Sequence, residues 1–321
     1  MNSKIISTID EEARKGTVPV RGQGYRGRFG GPGWDEMFTD MSEIVRPSRD
    51  GIHGRELIST IVDIGSKPMR LQFDSEGGLV SAGPKMMSIQ VPFVFDSPAG
   101  SVMTPRLAKI WKMAAEQVDT LALISGDMVA SNNLASPSVV PIISLDSYET
   151  ANSFKNGTRM VQLDRWGASE YASMVSSNPD LMISVRMSFE EGWQDQLSEM
   201  IGAGVSVIHF VANNHGVADG GRFIMDIIIE AHEMLIKAGV RDKVTLLHSG
   251  GVVAADHLPK AIICGLDAVG LDLPLLVAIQ ARLSGDTSSR EDYKAKLPRR
   301  FNDKWACQRI VNLTGSWRDQ M

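Results

Sequence analysis

The sequence predicts a (β/α)8 barrel preceded by an N-terminal loop and β extension. Three observations carry this. Eight short β-prone runs recur between residues 91 and 271. Amphipathic helical stretches stand between most of them, and strand–helix alternation builds a parallel sheet with helices outside. The 321 residues, 43% hydrophobic, also exceed the roughly 250 that one such barrel needs. An open doubly wound sheet is the competing arrangement.

Residues 1–88 read as the extension, and 89–321 as the barrel. The stretch Arg21 to Gly33 is too rich in glycine for a helix or central strand. It reads as a loop whose Arg21, Arg26 and Arg28 either meet an anion or stay solvated. Residues 57–63 and 69–73 read as short strands joined through Gly65-Ser-Lys-Pro68. The barrel strands are expected at 91–95, 120–124, 139–144, 159–163, 181–187, 206–211, 244–248 and 268–271. A helix at 104–117 starts on Thr104-Pro105, a cap with proline at the first helical position. Residues 193, 197, 200 and 201 give 193–202 helical spacing, and the helix over 222–238 stops at Gly239. A helix over 256–264 precedes Gly265. Strands three and four are the weakest, because 125–138 is a long Ser/Asn-rich loop. A final helix over 301–321 carries Trp305, Ile310, Leu313 and Trp317 on one face. Such a face needs something to pack on. With no stop signal before Met321, the sequence suggests a barrel truncated at its C-terminus, or a partner over this helix.

Composition excludes several classes. The net charge of −5 is spread along the chain, so no basic field invites nucleic acid. The two cysteines, Cys264 and Cys307, make neither a disulfide framework nor a metal cluster. No apolar run of about 18 residues is present, so no membrane span is expected. Residues 1–16 are charged and lack the apolar core of a secretory signal. A cytoplasmic protein is expected.

The stretch from Val244 to Leu276 reads VTLLHSGGVVAADHLPKAIICGLDAVGLDLPLL: strand, glycine turn, helix, strand, helix. Gly250 and Gly251 leave backbone N–H groups open to close approach. In a (β/α)8 barrel the loops after strands seven and eight are a usual phosphate seat. These residues point to a phosphate-bearing ligand, with flavin mononucleotide (FMN) first. Ser249, Gly250 and Gly251 would donate N–H groups to the phosphate, and Gly270 and Leu271 would add more. The alternative is an ordinary tight turn. Asp272 opposes a dianion unless its carboxylate turns away. His215 and His248 fall at strand C-termini, the active face of such barrels, where either is a candidate general acid. Neither has carboxylates in register, so no metal site is expected. Cys264 reads as a packing residue.

Four segments carry a family resemblance. One is Ala238-Gly-Val-Arg-Asp-Lys-Val-Thr-Leu-Leu-His-Ser-Gly-Gly251, followed by Lys260-Ala-Ile-Ile-Cys-Gly-Leu-Asp-Ala-Val-Gly270. The others are Phe95-Asp-Ser-Pro-Ala-Gly-Ser-Val-Met-Thr-Pro105, Ile183-Ser-Val-Arg-Met-Ser188 and the closing helix around Cys307-Gln-Arg-Ile-Val-Asn-Leu313. Together they resemble the FMN-binding central domain of glutamate synthase, especially its shorter archaeal and anaerobe relatives. The resemblance implies reductive amination of 2-oxoglutarate by ammonia through an imine, giving L-glutamate. It implies electrons from ferredoxin or an NAD(P)H-oxidising subunit, a separate glutamine amidotransferase subunit, and an oligomer. It places Ser97, Ala99 and Gly100 along the flavin, with Gln162 on the ring. Arg186 stands where the family has a lysine near the flavin, and keeps the charge without acid–base chemistry. Its alternative is an arginine paired with an acidic neighbour in the barrel. Asp127 stands at a strand-two turn that carries a glutamate in the family, positioned for the substrate or its imine. With Arg186 and His215 it makes the catalytic set. Two departures stand out. The family's glycine-rich turn after strand six is here Ala212-Asn-Asn-His-Gly-Val-Ala218, and its three-cysteine iron–sulfur loop after strand eight has no cysteine. The competing readings are a non-catalytic FMN- or phosphate-binding scaffold or regulatory subunit of such an assembly, and another phosphate-binding barrel. Within that last group, inosine monophosphate dehydrogenase chemistry needs a loop cysteine that this chain lacks.

Overall fold

The computed structural model describes residues 3–17, 33–37, 60–67, 73–79, 85–98, 101–218, 220–286, 290, 292–299 and 301–321. Helix α1 (Ser3–Lys15) comes first, followed by the hairpin of β1 (Val62–Gly65) and β2 (Met86–Ile89). The eight barrel strands follow: β3 (Phe93–Phe95), β4 (Ala122–Ser125), β5 (Val139–Ile143), β6 (Met160–Leu163), β7 (Met182–Met187), β8 (Val207–Val211), β9 (Thr245–Ser249) and β10 (Ala268–Leu271). All pair in parallel with their sequence neighbours, and β10 pairs with β3, so the sheet closes on itself. The open-sheet alternative is thereby excluded.

Between the strands lie α2 (Pro105–Val118), α3 (Gly126–Ser131), α4 (Ala168–Ser177), α5 (Trp193–Gly202), α6 (Ile224–Lys237), α7 (His257–Ile263) and α8 (Leu273–Ala278). The Thr104 side chain accepts from the Leu107 N–H and caps α2, as its Thr-Pro start demands. A second hairpin, β11 (Arg282–Gly285) with β12 (Tyr293–Lys296), leads to the closing helix α9 (Asp303–Gln320). Helical spacing buries Ile110, Trp111 and Ala114 of α2, and Ile227, Ile228, Ala231 and Leu235 of α6, among the core residues.

Period-two alternation divides each strand. Val94, Leu123, Val140, Met160, Met182, Val207, Leu247 and Ala268 form one apolar cluster in the lower interior. Ile64, Met87 and Ile89 of the first hairpin join that cluster. Thr245 fastens the hairpin: its Oγ1 accepts from the Gly65 N–H at 2.9 Å and donates to the Gly65 carbonyl at 3.1 Å. The β extension thus plugs the bottom of the barrel. Its strands differ in register from expectation, since β1 begins at Val62 and its partner is 86–89 rather than 69–73. Of the expected strand over 69–73, only Phe73 lies within the described residues, and the glycine-rich loop over 21–32 lies outside them.

The apolar face of α9 is covered from within the chain. Helix α1, in a region the sequence marks only as atypical and charged, packs on α9 and α8. Trp317 is fully buried, and its indole N–H donates to Glu12 Oε2 at 2.9 Å. Arg309 of α9 pairs with Asp10 at 2.5 Å. The packing demand that suggested a covering partner is met by α1 and α2.

Candidate functional site

Above the apolar layer, the same alternation turns polar side chains inward. Asp96, two residues beyond Val94, is fully buried. Arg186 on β7 donates through Nη2 to Asp96 Oδ1 and through Nε to Gln162 Oε1 at 2.7 Å. Gln162 on β6 also meets Ser184 Oγ at 3.2 Å and His209 Nδ1 at 3.1 Å. His209 Nε2 lies 2.7 Å from Ser249 Oγ. A continuous polar belt therefore crosses the barrel from strand one through strands four to seven.

Arg290, carried by the hairpin that joins β11 to β12, completes the belt at strand eight. Its Nη2 donates to Asp96 Oδ2 at 2.7 Å and sits 2.9 Å from Asp272 Oδ2. Two guanidinium groups and two carboxylates are thus interlocked in a mostly buried cluster. Burial pushes the Asp96 carboxyl up, but Arg186 and Arg290 outweigh it and hold the group well below the usual carboxylate range. Asp272 shifts the other way, raised by burial against the pull of Arg290. Burial, reinforced by Arg186, holds His209 well below the ordinary histidine value, so it is neutral.

Over this belt opens a mouth of about 420 Å³, lined by residues that include Ser97, Asp127, Asp164, Arg186 and Arg290. Three sequence-predicted site residues, Ser97, Asp127 and Arg186, come together here. Asp127 is exposed in the first turn of α3, and the Ser97 N–H donates to Asp96 Oδ1 at 2.8 Å. Gln162 lies beneath, fully buried, touching Arg186 rather than the cavity. Ala99 and Gly100 lie outside the described residues.

The two histidines lie apart from this mouth. His215 is exposed and lines a separate, mainly apolar cavity of about 1080 Å³, together with Trp34, Phe223, Gly251 and Leu273. It does not share the mouth with Asp127 and Arg186. His248 is fully buried, and its Nε2 lies 2.7 Å from the Gly250 carbonyl oxygen. Burial lowers its pKa to about 4, which leaves it unprotonated at neutral pH and unsuited to donate a proton. The unfolded histidine titrates near 6.5, so the unfolded chain binds more protons between these values. Stability is therefore expected to fall as pH drops from about 6.5 towards 4. Urea midpoints across that range test this, and a His248→Gln variant should flatten the slope.

The glycines have a structural explanation. A Cβ on Gly250 would lie 2.5 Å from the Asn213 carbonyl oxygen, and one on Gly251 would lie 2.6 Å from Gly216 Cα. A Cβ on Gly270 would lie 1.8 Å from Ser249 Oγ. All three allow close approach within the protein. Ser249 itself is buried against His209, and the Leu271 carbonyl accepts from the Asp96 N–H at 2.8 Å. The N–H groups of Gly250, Gly251 and Val252 take no acceptor among the described residues. Asp272 is turned to the Leu273 N–H at 2.6 Å and to Arg290, which compensates its charge. Amide donors without an acceptor are the kind that suits a phosphate, and Gly251 lines a cavity.

Other quoted motif residues hold the fold. Arg241 donates to the carbonyls of Val244 and Gly265 at 2.8 Å and to Asp267 at 3.0 Å, tying the approaches to strands seven and eight. Arg241→Ala is expected to cost about 1–3 kcal/mol in urea unfolding, since it orphans these acceptors. Cys264 packs at 3.9 Å from Met37 Sδ, as expected of a packing residue. Asp35, Asp256 and His257 come within 4.8 Å of one another. His257 Nδ1 accepts from the Val253 N–H, which leaves the ring proton on Nε2 facing Asp35, and Lys260 pairs with Asp256. That arrangement is a latch between residues 33–36 and α7, with no lone pair left on the histidine for a cation.

Asp96, His209 and Arg290 escape a search for motifs. Strand parity signals the first two, since each stands an even number of residues from an inward apolar side chain. No sequence signal marks Arg290.

Residues 179–285, which span barrel strands five to eight, match the family described as a conserved region in glutamate synthase. The archaeal-type glutamate synthase [NADPH] of Dehalococcoides mccartyi is 19% identical over 98% of this chain and 75% of its own length. The archaeal glutamate synthase [NADPH] of Archaeoglobus fulgidus is 26% identical over 46% of this chain and 32% of its own. Among solved structures, a flavocytochrome b2 mutant with benzoylformate has a TM-score of 0.51 at 15% identity, covering 81% of this chain and 71% of that one. A mandelate oxidase mutant with a monooxide FMN adduct has a TM-score of 0.50 at 13% identity, covering 81% and 82%. These likenesses show the fold. Within the barrel, residues 179–285 are similar to glutamate synthase, and the fold is shared with a mandelate oxidase that carries an FMN adduct. Among the described residues, no helix is long and apolar enough to cross a membrane.

Proposed function

Taking the barrel as a glutamate-synthase-related domain, we propose that the chain is a flavin-dependent oxidoreductase. Its reaction is reductive amination of 2-oxoglutarate by ammonia, through the imine, to L-glutamate. The observation that carries this reading is Arg186: it lines the mouth from strand five and is fixed in place by Gln162 and Asp96. The cofactor is FMN, with its phosphate on the amides of Gly250, Gly251 and Val252 and its ring beside Arg186 and Ser97. Bound there, FMN supplies the electron pair that reduces the imine carbon.

The chain's own residues position the substrate. Arg186 presents a permanent cation to developing negative charge at the mouth. Asp127 faces the same space from the start of α3, where a carboxylate holds an ammonium or iminium nitrogen by charge and hydrogen bond. His215 lies in the other cavity, so the proton steps at the mouth fall to solvent or to the substrate's own nitrogen. The names of the relatives point to NADPH as the electron source, through an NADPH-oxidising subunit or ferredoxin. Ammonia comes free or from a separate amidotransferase subunit, in an oligomeric assembly in the cytoplasm.

One observation favours a second reading. Asp96 neutralises Arg186, which weakens its field at the mouth. That suits a flavin-binding scaffold or regulatory subunit without turnover. Chemical reduction of the flavin-loaded chain, followed by 2-oxoglutarate and ammonium, separates the two. Reoxidation with formation of glutamate is expected of the enzyme. A flavin that stays reduced assigns the scaffold.

A further inference from the structure

The hairpin β11–β12 occupies the part of the chain where the resembled family places its cysteine loop, and it delivers one arginine to the mouth. Arg290 Nη2 donates to Asp96 Oδ2, forms an ion pair with Asp272 Oδ2 at 2.9 Å without a hydrogen bond, and approaches the Ser97 carbonyl at 3.5 Å. Its Nη1 is buried and has no hydrogen-bond acceptor among the described residues. A guanidinium is a planar fork of five N–H donors, and an unmet one in a buried setting costs free energy. The side chain is 14% exposed, and it lines the 420 Å³ mouth beside Arg186 and Ser97. Two carboxylates from different strand ends face the same nitrogen, Asp96 by a hydrogen bond and Asp272 by charge.

We propose that Arg290 is an oxyanion anchor of the mouth, its open Nη1 taking a carboxylate or phosphate oxygen of the ligand. This rests on the reading of the mouth as the substrate site. The chemistry is shared by two sources, the carboxylate of a small acid and the phosphate of a nucleotide. Arg290 lines the mouth rather than the cavity bounded by Gly251 and Leu273, which favours the carboxylate. The interlocked pairs Arg186–Asp96 and Arg290–Asp272 balance in charge, so an arriving anion competes with Asp272 for the guanidinium. A neutral residue at 272 frees Arg290 for the ligand.

Calorimetric titration of the purified full chain with 2-oxoglutarate, FMN and riboflavin tests the proposal. Arg290→Lys keeps the charge and loses the fork. It is expected to weaken 2-oxoglutarate binding about tenfold or more, near 1.4 kcal/mol, and to leave FMN and riboflavin unchanged. Weakened FMN with unchanged riboflavin and 2-oxoglutarate would identify the phosphate as the anchored oxyanion. Asp272→Asn is expected to tighten binding of the same anion. Unchanged anion binding in a folded Arg290→Lys protein overturns the anchor. If that variant does not fold, Asp272→Asn decides, and its failure to tighten any anion has the same force. An unmodified chain that takes up 2-oxoglutarate but neither flavin would instead count against the flavin reading alone.

Discussion

Asp96→Ala is expected to lower the free energy of unfolding by about 3–5 kcal/mol, a large share of what holds a domain folded. Asp96 is fully buried, and its two oxygens accept from Arg186, from Arg290 and from the Ser97 N–H. Removing it leaves two mostly buried guanidinium groups facing each other across a small cavity. Like charges in such a setting repel, and each also loses its best acceptor. Asp96→Asn should recover little, because shape returns without charge. Urea unfolding of the three proteins measures this. The pH response follows from the depressed carboxyl: its stabilising contribution is present above the unfolded value near 3.9, and is lost only as pH falls through the lower folded value. A drop under about 1 kcal/mol for Asp96→Ala would mean that the two arginines find other partners.

Gly250→Ala should cost about 2–4 kcal/mol, from backbone strain and overpacking together. Gly250 has φ +116°, a region closed to side chains, and its Cβ would sit 2.5 Å and 2.7 Å from the Asn213 and Ala212 carbonyl oxygens. Backbone on both sides leaves nothing flexible to yield. The consequence bears on ligand mapping: a bulky or charged residue here would disturb the turn whether or not a phosphate sits on it. Loss of flavin in such a variant reports the turn and not the ligand. Thermal melts in the absence of flavin check this, and an unchanged midpoint would return the glycine to a ligand-dictated role.

The barrel was legible because its signals are local and repeated. Strand five was expected at 181–187 and forms at 182–187, and the helix after it begins and ends on Trp193 and Gly202 as expected. Caps and stops such as Thr104-Pro105 and Gly239 act within one turn of chain. The N-terminal helix was not legible, since Ile5, Ile9 and Ala13 gain meaning only against α9, some 300 residues away. The first hairpin was read one strand out of place, because 86–89 carries no turn signal linking it to 62–65. At the site, Ser97, Asp127 and Arg186 were legible as strand ends. Arg290 belongs to none of the barrel's strands or helices, and His215 lies outside the mouth on a loop whose backbone packs against Gly251. Glycine pairs mislead for a physical reason: close approach of backbone to backbone needs the same residue as close approach to phosphate.

The proposed FMN reaches from the mouth, with its ring beside Arg186, to the 250–252 turn, with its phosphate on the amides there. A crystal structure of the chain soaked with FMN addresses it most directly. Phosphate density within hydrogen-bond reach of the Gly250, Gly251 and Val252 amides, with the ring over Ser97, is the predicted result. Amides left bare and a mouth still spanned only by Arg186, Arg290 and Asp96, at saturating FMN, would contradict it.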